Sequence, residues 1–289
     1  MSDARRRAVS VAERVLPSAV MRRARVIKFD RERSRFPARV VEHEYAGVRH
    51  RVLIASPYAE RYDRDWPEPQ ELTWLKRRRL RAGARVFDLG ASAGVIAMML
   101  ADAVGPEGQV VALEAHPDDA AAIARNRDLN GLDQLVPVHA AVARESGEVV
   151  FGRNGFVDDG STRWGDMRVP SLSVDDLARH YGAPDVVFID VEGYEHEALV
   201  GARATLEQGP DWFVEVHGDE QLGVYGASSA DVIHCLSDAG YELFAAPESR
   251  YLRRPDGTIV PEHPVRPLDD WPEAMRHGRF FLLATRPAR

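Results

Sequence analysis

From residue 85 onward, short apolar runs alternate with longer stretches of helical period. Val86-Phe87-Asp88-Leu89, Val110-Val111-Ala112-Leu113 and Leu135 to His139 each read as a strand, as do Asp185 to Asp190 and Asp211 to His217. Between them the pattern predicts helices near 93–103, from Asp118 to about Asn130, from Glu195 to about Leu206 and from Ser229 to Ala239, with Gly131 as a helix stop. Strands this continuously apolar, separated by helices, make a parallel sheet covered on both faces. Tyr241 to Ala245 and Arg279 to Thr285 read as the last strands. Their connection is Pro-rich and polar, with a turn at Pro255-Asp256-Gly257, so the final strand is expected to run antiparallel.

The chain before residue 85 and between 141 and 184 breaks this rhythm. Residues 1–36 are basic. Ala8, Val11, Ala12, Val15 and Leu16 fall at helical spacing up to Pro17. A cap helix with a solvated basic face is the simpler reading; an arm for an anionic partner or a membrane surface is the other. Residues 39–55 alternate as a β-hairpin around Ala46-Gly47, and 56–70 reads as a loop. Glu71 to Leu80 reads as a helix with Leu72, Leu75 and Leu80 inward. Within 141–184 a short strand at Glu148–Phe151, turns at Asn154-Gly155 and Asp158–Gly160, and a short helix after Ser173 or Val174 are expected. An insertion of this kind is where substrate specificity is built. The expected organisation is a basic helical arm (1–36), a hairpin and loop extension (37–70) and an α/β domain (71–289).

Composition narrows the function classes. A net charge of −7 and a pI near 5.8 argue against a surface that grips nucleic acid. The single cysteine, Cys235, sits among Val232, Ile233 and Leu236 and reads as core, so there is neither an intrachain disulfide nor a cysteine metal knuckle. No apolar run reaches the about 18 residues of a membrane span, and no signal-peptide pattern is seen. A cytoplasmic location is the expectation.

The chemistry concentrates at strand ends. Asp88, Gly90, Ser92 and Gly94 form a strand–turn–helix junction, a nucleotide-cofactor geometry in α/β proteins. A dinucleotide fingerprint needs a glycine where Ser92 stands. Asp88 would repel a pyrophosphate and attract a cation, which favours S-adenosylmethionine, with its ammonium and sulfonium, over a nicotinamide cofactor. Glu114, followed by Ala115, ends the second strand and can accept hydrogen bonds from ribose hydroxyls. His139, Ala140 and Ala141 would flank the adenine, and His116 would serve either the adenosine or a turn. Asp190 and Glu192 are two apart at the end of an apolar strand and would face one side if the strand persists. Glu195 suits a helix N-terminus. Glu215 and His217 share a face of the next strand. Asp190, Glu192 and His217 are therefore the candidates to position or deprotonate an acceptor, and Asp190 with Glu215 or His217 could instead hold a divalent cation.

These stretches resemble the FkbM family of S-adenosylmethionine-dependent methyltransferases. The resemblance rests on VFDLGASAG (86–94), VVALEAHP (110–117), NRDLNGL (126–132), SLSVDDL (171–177), VVFIDVEGYEHEALVGA (186–202) and FVEVHG (213–218). It implies a class I, Rossmann-like fold with a seven-stranded, mostly parallel sheet whose last strand is antiparallel. It also implies O-methylation of a hydroxyl on a sugar, polyketide or other secondary metabolite. Glu71 resembles an acid common in the family and joins the cofactor candidates. Phe188 departs from the family, which often carries Lys there. The alternatives are methylation of RNA, supported by the basic arm and opposed by the net charge, a non-catalytic cofactor-binding regulator, and lastly a dehydrogenase.

Overall fold

The computed structural model describes residues 18–152, 157, 167–247, 251–253, 259–261 and 263–286. The helix expected over 8–16 and the turns at 154–155, 158–160 and 255–257 lie outside these residues. The first described element is helix α1 (Ser18–Ser34), which begins after Pro17 in a part of the basic arm for which the sequence pattern predicts no helix. Strands β1 (Arg39–Tyr45) and β2 (Val48–Ile54) pair in register from Arg39↔Ile54 to Tyr45↔Val48. Their turn places Ala46 at φ 51° and Gly47 at φ 86°, the twist that a two-residue hairpin needs. The expected loop that follows contains a 3-10 helix, Pro57–Tyr62, capped by Ser56.

Helix α2 (Gln70–Lys76) stops before the Arg77-Arg78-Arg79 run, short of the expected Leu80, yet Leu72, Leu75 and Leu80 are all buried. The α/β core then runs β3 (Arg85–Leu89), α3 (Val95–Val104), β4 (Gln109–Glu114), α4 (Pro117–Asn130) and β5 (Leu135–His139). The insertion forms its own small sheet from β6 (Ala141–Val142), β7 (Gly147–Phe151) and β8 (Met167–Leu172). Helix α5 (Val174–Tyr181) follows, with Ser173 accepting from Asp176 N at 3.1 Å as its cap.

Strand β9 (Val186–Ile189) ends one residue before Asp190. The single helix expected after it is two: α6 (Glu195–Val200) and α7 (Arg203–Gln208). Gly201 lies at the break, where a Cβ would stand 2.5 Å from the Ala143 carbonyl oxygen. Asp175 caps the second piece, accepting from Ala204 N at 3.0 Å and Thr205 N at 2.8 Å. The chain closes with β10 (Asp211–Val216), α8 (Ser229–Ser237), β11 (Glu242–Pro247) and β12 (Phe280–Thr285).

Among the described residues the main sheet has the order Arg266–Pro267, β11, β12, β10, β9, β3, β4, β5. Strands β10 to β5 are parallel, and β12 runs antiparallel between β11 and β10. The result is the class I methyltransferase arrangement, with the two-residue Arg266–Pro267 strand added at one edge. Strand alternation sorts the core into two layers. Val86, Val110 and Phe188 pack with α2, α3 and the hairpin. Phe87, Val111 and Val187 pack with α5 to α8. Chain order reverses between β3 and β9, so a crevice opens at the carboxyl ends of these strands.

Candidate cofactor and catalytic cleft

A cleft of about 490 Å³ occupies that crevice. Gly90, Ser92, Glu114, Ala115, Ala141, Asp190 and Glu192 line it, together with His116, Ala140, Val142, Val191 and Tyr194. Glu71, Asp88 and Gly94 lie outside the lining, and so does His217.

The first wall is the turn from β3 to α3. Gly90 has φ 90°, Ser92 φ 50° and Gly94 φ 82°. A Cβ on Gly90 would stand 1.9 Å from the Asp190 carbonyl oxygen, so only glycine allows the two turns to touch. Glu114 fixes the turn: its Oε2 accepts from Ser92 N at 2.8 Å and its Oε1 from His116 N at 2.7 Å. Lone pairs remain on both oxygens for further donors. Burial pushes Glu114 up to about 7 against the pull of those amides. Burial alone pushes Asp88 up to about 7, and its buried Oδ2 has no hydrogen-bond partner among the described residues. His116 caps α4, accepting from Asp118 N, while also lining the cleft.

The second wall is the turn from β9 to α6. Asp190 and Glu192 converge because the chain turns, with Glu192 at φ 54° and Gly193 at φ 99°; the strand does not persist through them. Gln221 Nε2 donates to the Glu192 carbonyl at 3.1 Å. Glu195 is fully buried, and its Oε1 accepts from Gly193 N at 2.8 Å and lies 2.7 Å from His217 Nδ1. His217 Nε2 faces Glu192 Oε2 at 3.2 Å and Asp190 Oδ1 at 3.6 Å. Glu215 neighbours Asp190 and also forms an ion pair with Arg279. Burial would lower the His217 ring, but Glu192 and Glu195 overcome it and push the ring up to about 10. Burial and the Glu215 charge hold Asp190 well above the usual carboxylate range, whereas His217 holds Glu192 below it.

Some of the lining lies outside the residues singled out from the sequence. Phe29 and Arg33 come from α1, Tyr58 and Arg61 from the 3-10 turn, and Phe151 and Val157 from the insertion. Arg33 bonds Asp118 at 2.9 Å and also pairs with Asp119, tying α1 to the start of α4. The hairpin itself contributes no lining residue among those described. It packs on α4, where Leu53 N donates to Asn126 Oδ1 at 2.7 Å and Asn126 Nδ2 donates to Ala93 O at 2.8 Å. Asn126 thus braces the first turn from behind. Phe188, where the family often has lysine, stacks on Phe213 at 3.9 Å within the core.

Comparison with known proteins places this geometry. The sequence model of the methyltransferase FkbM domain matches residues 88–243, more than half of the chain. The chain belongs to the FkbM methyltransferase family. Those residues form its FkbM methyltransferase domain, and both turns lie within it. The chain is also similar to the hexuronic acid methyltransferase AglP of Haloferax volcanii, at 26% identity over 159 residues. That match covers 53% of this chain and 62% of AglP, so less than two thirds of AglP's length is spanned. Among solved structures, a precorrin-6y C5,15-methyltransferase from Geobacter metallireducens has a TM-score of 0.45 at 17% identity, over 75% of this chain and 88% of that one. An S-adenosylmethionine-dependent O-methyltransferase from Thermotoga maritima has a TM-score of 0.43 at 14% identity, over 88% of this chain and 79% of that one. Among the described residues no helix is long and apolar enough to cross a membrane.

Proposed function

We propose that this FkbM-family chain methylates a hydroxyl of a small-molecule acceptor, a sugar or sugar-derived metabolite. The observation that carries the reading is the pairing of two unlike walls on one cleft. One presents a turn anchored by Glu114, the other presents the carboxylates of Asp190 and Glu192. AglP, by its name, acts on a hexuronic acid, which supports a sugar acceptor.

S-adenosylmethionine supplies an electrophilic methyl group on a sulfonium. The residues of the chain supply the rest. Glu114 holds the ribose hydroxyls with the lone pairs that Ser92 N and His116 N leave open. The small side chains of Ala115, Ala140 and Ala141 leave room for a flat base. Asp88, buried without a hydrogen-bond partner on Oδ2, attracts the ammonium directly or through water, with Glu71 as a second buried acid. Gly90 lets the backbone come close, and Gly94 packs the turn against Ile123 behind it. Asp190 and Glu192 orient the acceptor hydroxyl and take up its proton as the oxygen gains the methyl group. His217, behind them, fixes their positions. The acids facing the cleft disfavour a polyanionic acceptor, so a nucleic acid does not suit this floor.

Calorimetry tests the cofactor half: S-adenosylmethionine should bind in the micromolar range, on the order of −8 kcal/mol, and more weakly to Glu114→Ala and Asp88→Ala. Equal binding by wild type and both variants would overturn the assignment. Transfer of labelled methyl to hexoses and hexuronic acids, with RNA as the comparison acceptor, tests the other half.

A further inference from the structure

Behind the acidic turn, three side chains from two elements come together around one point. Asp190, Glu192 and His217 each offer one ligand atom, and these atoms all lie within 4.8 Å of one another. We propose that they form a binding site for one divalent cation of the magnesium or manganese class.

The spacing fits. His217 Nε2 stands 3.2 Å from Glu192 Oε2 and 3.6 Å from Asp190 Oδ1. Adjacent ligands of an octahedral ion with bonds of about 2.1 Å are about 3.0 Å apart, so small side-chain shifts complete the site. The imidazole is already oriented. Its side chain is 2% exposed, and its Nε2 is buried with no hydrogen-bond partner among the described residues. At 3.2 Å that nitrogen faces Glu192 without the alignment of a hydrogen bond. Its other nitrogen is clamped by Glu195, itself fixed by Gly193 N. A carboxylate behind an imidazole is the support that metal-binding histidines need. Glu192 also holds a left-handed backbone at φ 54°, an unfavourable conformation for a side chain other than glycine. In that conformation its carboxylate meets the ligand atoms of the other two.

Charge points the same way. Asp190, Glu192, Glu195 and Glu215 surround this point. Arg279 is engaged with Glu215, and Arg61 feels Asp190 and Glu192. Two carboxylates to one imidazole, without a thiolate, suit a hard cation. Asp190 and Glu192 also line the cleft, so the remaining coordination positions open onto it. An acceptor with two adjacent oxygens, a vicinal diol or a hydroxy acid, would chelate the ion there and be oriented by it. This role rests on the methyl-transfer reading; the binding of the ion does not. His217 would coordinate as the neutral imidazole, releasing its proton to solvent.

Manganese titration of the full chain, followed by electron paramagnetic resonance without cofactor or acceptor, tests the site. One Mn²⁺ per chain is expected, displaced by Mg²⁺, with a nitrogen coupling in the echo-modulation spectrum. His217→Ala should abolish the nitrogen coupling. Glu192→Gln should weaken binding at least tenfold, and Glu195→Gln about tenfold by releasing the ring. Glu148→Gln, on the exposed insertion, should change nothing. S-adenosylmethionine binding by each variant checks that it is folded. Failure of the wild type to bind millimolar Mn²⁺, or equal binding and unchanged coupling in folded His217→Ala, would overturn the proposal. Ion binding without methylation of any acceptor would leave the site standing and remove the functional reading.

Discussion

The two turns at the carboxyl ends of β3 and β9 are built alike and charged differently. Each places one side-chain-bearing residue in the left-handed region, Ser92 at φ 50° and Glu192 at φ 54°, beside glycines with positive φ. Each is fixed by a buried glutamate that accepts a backbone amide, Glu114 from Ser92 and Glu195 from Gly193. In the first turn the anchoring glutamate itself faces the cleft. In the second the anchor is buried behind, and other carboxylates, Asp190 and Glu192, face it. One construction thus yields a wall suited to a ribose and a wall suited to handling a proton. Backbone geometry decides where groups sit, and side-chain identity decides what the wall does.

The largest effect expected from breaking this division is on the acidic side. Asp190→Asn should lower kcat by about two to four orders of magnitude, the range for loss of an acid–base group, with S-adenosylmethionine affinity unchanged by calorimetry. Loss of cofactor binding in this variant would mean that the walls are not separate. Next, Gly90→Ala drives a Cβ to within 1.9 Å of Asp190 O and should destabilise the fold by about 3 kcal/mol in urea unfolding. Gly193→Ala meets Gln221 Cγ at 2.7 Å and the Gln221 carbonyl oxygen at 3.0 Å, a milder clash than at Gly90, and should cost less. Glu114→Gln keeps the shape but weakens both amide bonds and the ribose contact. A loss of about 2 kcal/mol in cofactor binding is expected, with a smaller change in kcat.

The smallest effect separates the walls by pH. A bound ammonium favours the charged form of Asp88, whose carboxyl is otherwise pushed up to about 7. Cofactor affinity should therefore fall about tenfold per pH unit once the pH drops well below 7, and Asp88→Asn should flatten that profile. In the cofactor-free chain the sign reverses. The folded state keeps this proton up to about 7, while the unfolded chain releases it near 4. The protonated group's contribution to stability is full at low pH and is lost as the pH rises through 7. Thermal unfolding of wild type against Asp88→Asn across that window checks the sign.

The first turn was legible in the sequence because its determinants are local. Gly90, Ser92 and Gly94 lie within one loop, and Asp88 and Glu114 end apolar runs. The parallel sheet followed from hydrophobic period, and the antiparallel last strand from the non-helical connection before it. The second turn was legible in composition and not in conformation. Asp190 and Glu192 were expected to share a side by strand alternation, and they meet through a left-handed turn instead. Glu195 looked like a helix-start acid, because nothing local reveals a partner on another strand. Phe29, Arg33, Tyr58 and Arg61 carry no periodic signal for a cleft assembled by the packing of distant segments. The break between α6 and α7 depends on Asp175, far away in the chain, and period alone gave one helix.

The contact between Gly90 and the Asp190 carbonyl ties the ligands of the two walls to each other. The turns meet backbone to backbone, so a ligand that stills one limits the motion of the other. Thermodynamic reciprocity then applies: if the cofactor tightens acceptor binding by some factor, the acceptor tightens cofactor binding by the same factor. Any such coupling has the same size whichever ligand enters first.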